Sequence, residues 1–184
     1  MQRDMISGDM RFIGTKKETL YQMSKKSKQL FNAYKIYQTA FWIEETKVDK
    51  QGYSITFEIE IGADATDSDK KYVNALASIP LEKVIGKTVT LQYDDCKRNV
   101  PGENAVIGIL YDRNGKKCYE MLYSTNKRKA ITFFIPEDAT NVRVRLLAIE
   151  NKAGSVLAGK YEVTFEGIML SVGKTRRKWE PYKE

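Results

Sequence analysis

Histidine is absent from the 184 residues of this chain, which removes several catalytic chemistries at once. It is the commonest general base and metal ligand, and Ser-His-Asp and Cys-His nucleophilic arrangements depend on it. The only cysteines, Cys96 and Cys118, have neither CxxC spacing nor histidine partners, so a zinc site is nearly excluded. They could pair only if their strands are neighbours; two free thiols in a reducing compartment are the favoured alternative.

Long hydrophobic runs are also lacking. No stretch approaches the roughly 18 apolar residues that a membrane-spanning helix needs. The opening MQRDMISGDMRFIG has no apolar core of a signal peptide, and glycine-rich phosphate-binding loops are absent. With 42% hydrophobic residues the chain can still bury one core, so the sequence predicts one domain without a membrane segment.

The formal net charge of +7 is concentrated in two places. Residues 1–29 contain seven basic and three acidic residues, a net charge of +4, and residues 174–178 contain four further basic residues. Either cluster could neutralise an anionic polymer, but a solvated lysine-rich surface is the commoner role of such clusters. We therefore predict a basic N-terminal arm or connector over residues 1–29, and neither a nucleic-acid nor a membrane partner.

Alternating hydrophobicity predicts β-strands through most of the chain. The segments YSITFEIEI, TVTLQY, NVRVRLLAIE and YEVTFEGIML each place apolar side chains on one face and polar side chains on the other. The last segment changes phase at Gly167, which predicts a bulge or bend. Between AVIGILY and CYEMLY, the pair Asn114-Gly115 predicts a hairpin turn because both residues tolerate positive φ.

The spacing of these segments favours one fold class. About eight strands, each alternating on one face, are typical of an antiparallel β-sandwich rather than of alternating strands and helices. Residues 62–86 do not alternate, which predicts one short helix around Asp69–Ala77 and then a loop that crosses between sheets. We predict an all-β antiparallel sandwich of the jelly-roll type, with about eight strands in two sheets over residues 30–184.

Several segments resemble a known group of modules. These are KQLFNAYKIYQTAFWIEETKVDKQGYSITFEI, VIGKTVTLQYDD, PEDATNVRVRLLAIEN and the closing VTFEGIMLSVGKTRRKWEPYKE. Residues 30–184 thereby resemble the carbohydrate-binding-module-like jelly rolls of tail, baseplate and fibre proteins from phages and prophages of Gram-positive hosts. The chain departs from that pattern at Val89, where the group has an aromatic residue, and at Ser171, where it prefers glutamate.

The resemblance implies a function and a setting. It implies a non-catalytic accessory module of a virion tail, made in the bacterial cytoplasm, that contacts a host cell-surface polysaccharide. Other tail or baseplate subunits are the implied protein partners, and a homo-oligomer is a further expectation. A purely structural or oligomerisation domain with no ligand is the alternative. The resemblance also implies that the Trp179 and Tyr182 rings cover apolar surface at the edge of the sandwich, with Pro181 stiffening the turn.

Sugar recognition needs aromatic faces for the apolar side of a pyranose ring and planar polar groups for its hydroxyls. The predicted outward positions and rim aromatics provide both kinds of group. We predict that the residues that bind the glycan are Trp42, Gln92, Tyr111, Tyr119, Arg143 and Arg145. The competing explanation is an ordinary solvated sheet, in which Arg and Glu pair across neighbouring strands.

Two acidic groups suggest further chemistry. Asp64, Asp67 and Asp69 could hold a structural calcium ion, although their spacing is not that of an EF-hand and a polar helix cap explains them equally well. No other cofactor is expected. Glu58, Glu60 and Glu166 could supply the paired carboxylates of a glycosidase, but surface alternation predicts the same residues. The sequence therefore does not predict an enzyme.

Overall fold

A computed structural model describes residues 29–38, 43–63, 72–100, 105–123, 128–150 and 158–183. Within these residues, every strand pairing is antiparallel. The strands are β1 (Tyr37–Gln38), β2 (Ile43–Val48), β3 (Ser54–Ile61), β4 (Tyr72–Ser78), β5 (Thr88–Gln92), β6 (Asp95–Arg98), β7 (Val106–Arg113), β8 (Lys116–Tyr123), β9 (Ala130–Phe134), β10 (Thr140–Glu150), β11 (Gly159–Glu166) and β12 (Met169–Val172). The helices are a 3-10 turn (Ala33–Lys35) and α1 (Leu81–Val84). In this part of the chain, no helix is long and apolar enough to cross a membrane.

The strands form the two layers of a β-sandwich, which confirms the predicted fold class. One layer is a five-stranded sheet with the order β1-β4-β10-β7-β8. The other combines a four-stranded sheet, β2-β3-β11-β6, with a three-stranded sheet, β12-β5-β9. Two chain segments run through both of these sheets, because β5 continues into β6 and β11 continues into β12 after two residues each. The second layer is thus one bent sheet. Its two breaks account for two of the four strands beyond the predicted eight, and β4 is a third.

Gly167 makes the bend between β11 and β12, as the change of phase in the sequence predicted. Its φ is +64°, and an added Cβ would lie 2.2 Å from Oδ2 of Asp94. Its N–H donates a hydrogen bond to the carbonyl of Tyr53 at 2.8 Å. Asp94 in turn accepts from the Tyr53 hydroxyl at 3.2 Å and from Nη2 of Arg176 at 2.7 Å. Only glycine lets the chain turn this close to Asp94.

The core lies between the two layers and follows the predicted alternation. Ile55, Phe57, Ile59 and Ile61 of β3 are each exposed by 2% or less. Phe57 meets Phe165 of β11 edge to face, with ring centroids 6.1 Å apart. Burial of each such side chain contributes about 1.5–3 kcal/mol, so the alternating positions supply most of the driving force for layer packing.

The predicted helix around Asp69–Ala77 is wrong for the part of it that the structure describes. Residues 72–78 form β4, which pairs with both β1 and β10. Val73, Ala75 and Ala77 are fully buried on its inner face, while Leu76 lies on the outer face. Alanine favours helix in isolation, but burial between two neighbouring strands outweighs that preference. The one short α-helix, among the described residues, is α1.

The hairpin at Asn114-Gly115 is confirmed. Asn114 has φ +49° and Gly115 has φ +72°, which are the two positive values of a type I′ turn. The turn sets the register of β7 against β8, so that Leu110 lies opposite Tyr119 and Gly108 lies opposite Met121. This register decides which side chains of β8 reach the outer face of the five-stranded sheet.

Residues 173–183, the C-terminal strap, cross the outer face of the three-stranded sheet. Thr90 donates to the carbonyl of Gly173 at 2.7 Å. Gln92 binds the backbone of Arg177 twice, donating to its carbonyl at 2.6 Å and accepting from its N–H at 2.8 Å. Thr90 and Gln92 do point to the outer face, as the alternation of TVTLQY predicts, but both are buried to 1% exposure or less beneath the strap and are not open to solvent.

The closing aromatic residues pack against the sandwich, as predicted. The ring of Trp179 meets that of Tyr53 edge-on, with centroids 5.0 Å apart and planes at 87°. Tyr182 is half-buried, and the ammonium group of Lys83 lies 5.8 Å from its ring centroid. The strap thus places two aromatic side chains against the edge of the sandwich, next to Tyr53 and Lys83.

Gln29 fixes the start of the described chain along β12. It is 4% exposed, donates to the carbonyl of Ile168 at 2.7 Å and accepts from the N–H of Leu170 at 2.9 Å. Leu30 adds a backbone hydrogen bond to Leu170 at 2.7 Å. Residues 1–28 lie outside the described residues, so the basic arm and the domain division at residues 1–29 and 30–184 stay predictions.

Cys96 and Cys118 are free thiols, on β6 and β8 of different sheets. Burial raises the pKa of Cys96 from 9.0 to about 12, and Arg98 only partly opposes that shift. The thiolate population near neutral pH falls about a thousandfold, so we expect the Cys96 thiol of a Cys118→Ser variant to resist a disulfide reagent until the protein is unfolded. Rapid labelling of the native variant would contradict this.

The same raised pKa has a consequence for stability at high pH. Because the unfolded thiol ionises near 9.0 and the folded thiol near 12, its contribution to stability is complete below pH 9 and is lost as the pH rises towards 12. A Cys96→Ala variant, compared with its parent in denaturant titrations at rising pH, should lose less stability over this range.

Candidate functional site

The outer face of the five-stranded sheet carries three of the six residues predicted to bind a glycan. Directly opposed residues of antiparallel strands point to the same side of a sheet. The register therefore aligns Arg143, Leu110 and Tyr119 in one row across β10, β7 and β8. The neighbouring row consists of Leu76, Arg145, Gly108 and Met121.

These rows border a groove of about 290 Å³, which we call the arginine groove. It is lined by Asn74, Leu76, Leu110, Lys117, Tyr119, Arg143 and Arg145. The Tyr119 side chain is 60% exposed, so its ring is accessible to a ligand. Leu76 and Leu110 add half-buried apolar surface next to the guanidinium groups. The groove thus combines an accessible aromatic ring with planar hydrogen-bond donors, as a sugar-binding surface requires.

The guanidinium of Arg143 is held in place by neighbours on the rim. Its Nη2 lies 3.4 Å from Oδ2 of Asp112, and its Nε donates to the carbonyl of Asn141 at 3.1 Å. Asn141 also donates from its side chain to Asp112 at 3.0 Å. Asn141 has φ +49° where β10 bulges between Thr140 and Arg143. This network restrains the Arg143 guanidinium, and a restrained donor would bind a ligand at a lower entropic cost than a mobile one.

Gly108 keeps the surface beside Arg145 low. It lies directly opposite Arg145 on β7 and opposite Met121 on β8. A Cβ at this position would come within 3.1 Å of the carbonyl oxygen of Glu120 and 3.2 Å of Cγ of Met121. The backbone at Gly108 therefore lies close to the backbone of Glu120 and to the Met121 side chain. Because Gly108 has no side chain, nothing from β7 projects beside the guanidinium group of Arg145.

Tyr37 extends the same outer face to its other edge. It lies on β1 directly opposite Leu76, and its side chain is 43% exposed. Four strand spacings of about 4.8 Å separate β1 from β8, so Tyr37 and Tyr119 frame a surface roughly 19 Å wide. Sequence reasoning missed Tyr37, Asn74, Leu76, Leu110 and Lys117. Lys117 could have been found, because it alternates with Tyr119 along β8.

The other three residues predicted to bind a glycan are not among those that line the groove. The side-chain amide of Gln92 is buried and fully engaged by the strap, which corrects its assignment to a ligand-binding surface. Tyr111 lies opposite Cys118 and packs against the core, on the face of β7 away from Arg143. Burial, and secondarily Cys118, raises the Tyr111 pKa. Trp42 lies outside the described residues, so its role stays a prediction.

A second, acidic groove of about 390 Å³ lies on the outer face of the four-stranded sheet. It is lined by Glu44, Glu58, Ile59, Glu60, Asn99, Lys160, Tyr161 and Glu162. Each carboxylate considered for glycoside hydrolysis is paired with a lysine: Glu58 with Lys47, Glu60 with Lys160 at 3.1 Å and Glu166 with Lys97 at 2.5 Å. Such surface ion pairs are ordinary cross-strand contacts, as surface alternation predicts for these residues.

The candidate calcium ligands Asp64, Asp67 and Asp69 lie outside the described residues, so that site stays a prediction. Across the described ranges, no group of three His, Cys, Asp or Glu residues is arranged to hold a metal ion.

Comparisons with known proteins return structural likeness only. No protein-family model and no curated protein matches the chain. Similar solved structures include the tandem CBM22-1–CBM22-2 domain of Xyn10C from Paenibacillus barcinonensis, with 10% identity over 82% of this chain and 51% of that one and a TM-score of 0.47. Another holds the CBM22-1 and GH10 modules of xylanase 10B from Clostridium thermocellum complexed with xylohexaose, with 11% identity over 83% of this chain and a TM-score of 0.44.

A third similar structure is the N-terminal cellulose-binding domain of β-1,4-glucanase C from Cellulomonas fimi, with 11% identity over 70% of this chain and 84% of that one and a TM-score of 0.41. The chain spans only 28% of the xylanase 10B structure. Similarities with these identities and TM-scores carry no information about the function of the arginine groove.

Proposed function

We propose that this chain is a non-catalytic carbohydrate-binding module that holds a polysaccharide in the arginine groove. The observation that supports this most is the placement of Tyr119, Arg143 and Arg145 around one groove on a solvent-facing sheet. A pyranose ring can lie on the Tyr119 face or on Leu110, and its hydroxyls can accept hydrogen bonds from the two guanidinium groups. The lysine-paired carboxylates of the opposite layer are consistent with binding without hydrolysis.

We further propose that the module belongs to a phage or prophage tail, baseplate or fibre protein, and that its ligand is a polysaccharide of the host surface. The support for this setting is the resemblance of residues 30–184 to such modules. In that setting other tail subunits are partners and the virion is the location. The alternative of a ligand-free structural domain makes the opposite prediction for every binding experiment below.

Truncation of Tyr119 should weaken glycan binding about tenfold, because the exposed ring is the main apolar contact that the groove offers. The measurement is calorimetric titration of wild type and Tyr119→Ala with purified cell-wall polysaccharides of Gram-positive bacteria. Phe134→Ala is the matched control, because Phe134 is a similarly exposed aromatic, at 55%, on β9 of the other layer.

The control should bind like wild type, and thermal unfolding should show that both variants are folded. Equal losses from the two variants would place the binding surface elsewhere. Absence of binding to every polysaccharide, together with a stable oligomer in light scattering, would favour the structural alternative.

A further inference from the structure

The arginine groove is lined by cations and by no carboxylate. Its charged lining residues are Lys117, Arg143 and Arg145. Asp112 lies on the rim, opposite Lys117 and in contact with Arg143. The charged residues that line the groove are therefore all cations, which favours an anionic over a cationic ligand.

The three cations differ in how they can meet a ligand. Arg143 has its Nε and Nη2 engaged by Asn141 and Asp112. Arg145 lies next to the low surface at Gly108, which leaves room for a group beside the guanidinium. Lys117 is exposed at the end of the groove. An arginine fork matches the two oxygens of a carboxylate or phosphate, whereas a neutral hydroxyl engages one donor at a time.

The arginine groove differs in charge from the other groove of the sandwich. The acidic groove on the opposite layer is lined by Glu44, Glu58, Glu60 and Glu162, and its single lining cation is Lys160. The linings of the two grooves therefore differ in the sign of their charge, so a polyanion is expected to prefer the arginine groove to the acidic groove.

We infer that the arginine groove selects polysaccharides that carry oxyanions, either uronate carboxylates or phosphodiester groups, over neutral ones. This inference rests on the proposed glycan-binding function and specifies the ligand class of the same site. Arg145 is the expected partner of the oxyanion, Lys117 adds a nearby point charge, and Tyr119 with Leu110 receives the sugar ring.

The test compares one pair of polymers that differ only in charge, and a third polymer that carries phosphodiester groups. Polygalacturonate is titrated against the intact chain, and so is the same polymer after reduction of its carboxyl groups to alcohols; a glycerol-phosphate polymer provides the phosphodiester. The reduced polymer should bind at least about tenfold more weakly than one of the anionic polymers, and the affinity for that polymer should fall with added salt. Which of the two anionic polymers binds identifies the oxyanion.

Variants locate the effect. Arg145→Gln should weaken binding of the anionic polymer about tenfold and Lys117→Gln about threefold, and each should weaken binding of the reduced polymer by a smaller factor, because a hydroxyl engages only one donor at a time. Lys116→Gln is the matched control, because it removes the same charge one residue away, on the other face of β8. It should bind like wild type.

The possible failures are distinguishable. If the reduced polymer binds as tightly as polygalacturonate and the phosphate polymer, the charge preference is wrong and the proposed glycan-binding function stands. If Lys116→Gln weakens binding as much as Lys117→Gln, general basicity explains the effect and the inference falls. If the chain binds neither anionic polymer nor any neutral wall polysaccharide, both the inference and the proposed function are wrong.

Discussion

Replacement of Gly167 by alanine is expected to lower the free energy of unfolding by about 2–4 kcal/mol. Two costs add at this position. The backbone has φ +64°, which L-residues rarely adopt, and the new Cβ would lie 2.2 Å from Oδ2 and 2.8 Å from Cβ of Asp94. To escape, Asp94 would have to give up its bonds to Tyr53 and Arg176. Urea titration followed by circular dichroism measures the loss.

Gly115→Ala is the matched control for Gly167→Ala. Gly115 has φ +72°, but no atom lies within 4 Å of an added Cβ there. It should therefore lose only the backbone term, about 1–2 kcal/mol. Removing the Asp94 side chain as well, in an Asp94→Ala, Gly167→Ala double variant, should recover part of the difference. Equal losses for the two glycine variants would show that the close approach of Asp94 costs nothing.

Replacement of Gln92 by methionine is the second change with a large expected effect, about 2–4 kcal/mol of stability. Methionine keeps most of the volume of the side chain but offers neither bond to Arg177. The N–H and carbonyl of Arg177 would then lose partners at 2.8 and 2.6 Å. Either they stay buried without hydrogen bonds or the C-terminal strap detaches to rehydrate them.

Detachment has its own signature. Trypsin should cleave Gln92→Met at the basic residues 174–178 faster than it cleaves wild type, and the fluorescence of Trp179 should shift as its contact with Tyr53 is lost. Gln38→Met is the control, since Gln38 is exposed and makes one side-chain bond, to Thr46 at 3.1 Å. That variant should stay within about 0.5 kcal/mol of wild type. A protease-resistant Gln92→Met of unchanged stability would contradict the proposed role of Gln92.

Local pattern was sufficient for the fold class. The inner face of β3 and the turn at Asn114-Gly115 follow from alternation and from residues that tolerate positive φ, and both are local properties. The same holds for Arg143 and Arg145, which alternate with buried residues on β10 and were placed correctly on the outer face. The inner and outer faces of β7 cannot be told apart in the same way. The first six residues of VIGILYDR do not alternate, so the sequence does not show to which face Tyr111 points.

The sequence predicts Tyr119 as an aromatic residue at a groove or its rim, but it does not place Tyr119 beside the two arginines. The proximity of Tyr119 to the arginines depends on the strand order β10-β7-β8 and on its register. In that register Leu110 lies between Arg143 on one side and Tyr119 on the other. Strand order depends on contacts between residues far apart in the chain, and no local pattern in a single sequence records them.

The amino-acid sequence by itself determined a histidine-free, basic, all-β chain with one core and a polar, arginine-bearing strand face. Tertiary structure alone decided three other features: that residues 72–78 are a strand, that Gln92 is buried, and that the cations gather in one groove. In each case a distant segment supplies the deciding contact: β1 and β10 flank β4, the strap covers Gln92, and β8 brings Lys117 towards the arginines. The free energy of burial and of paired hydrogen bonds between such segments exceeds the local preference of any one of them.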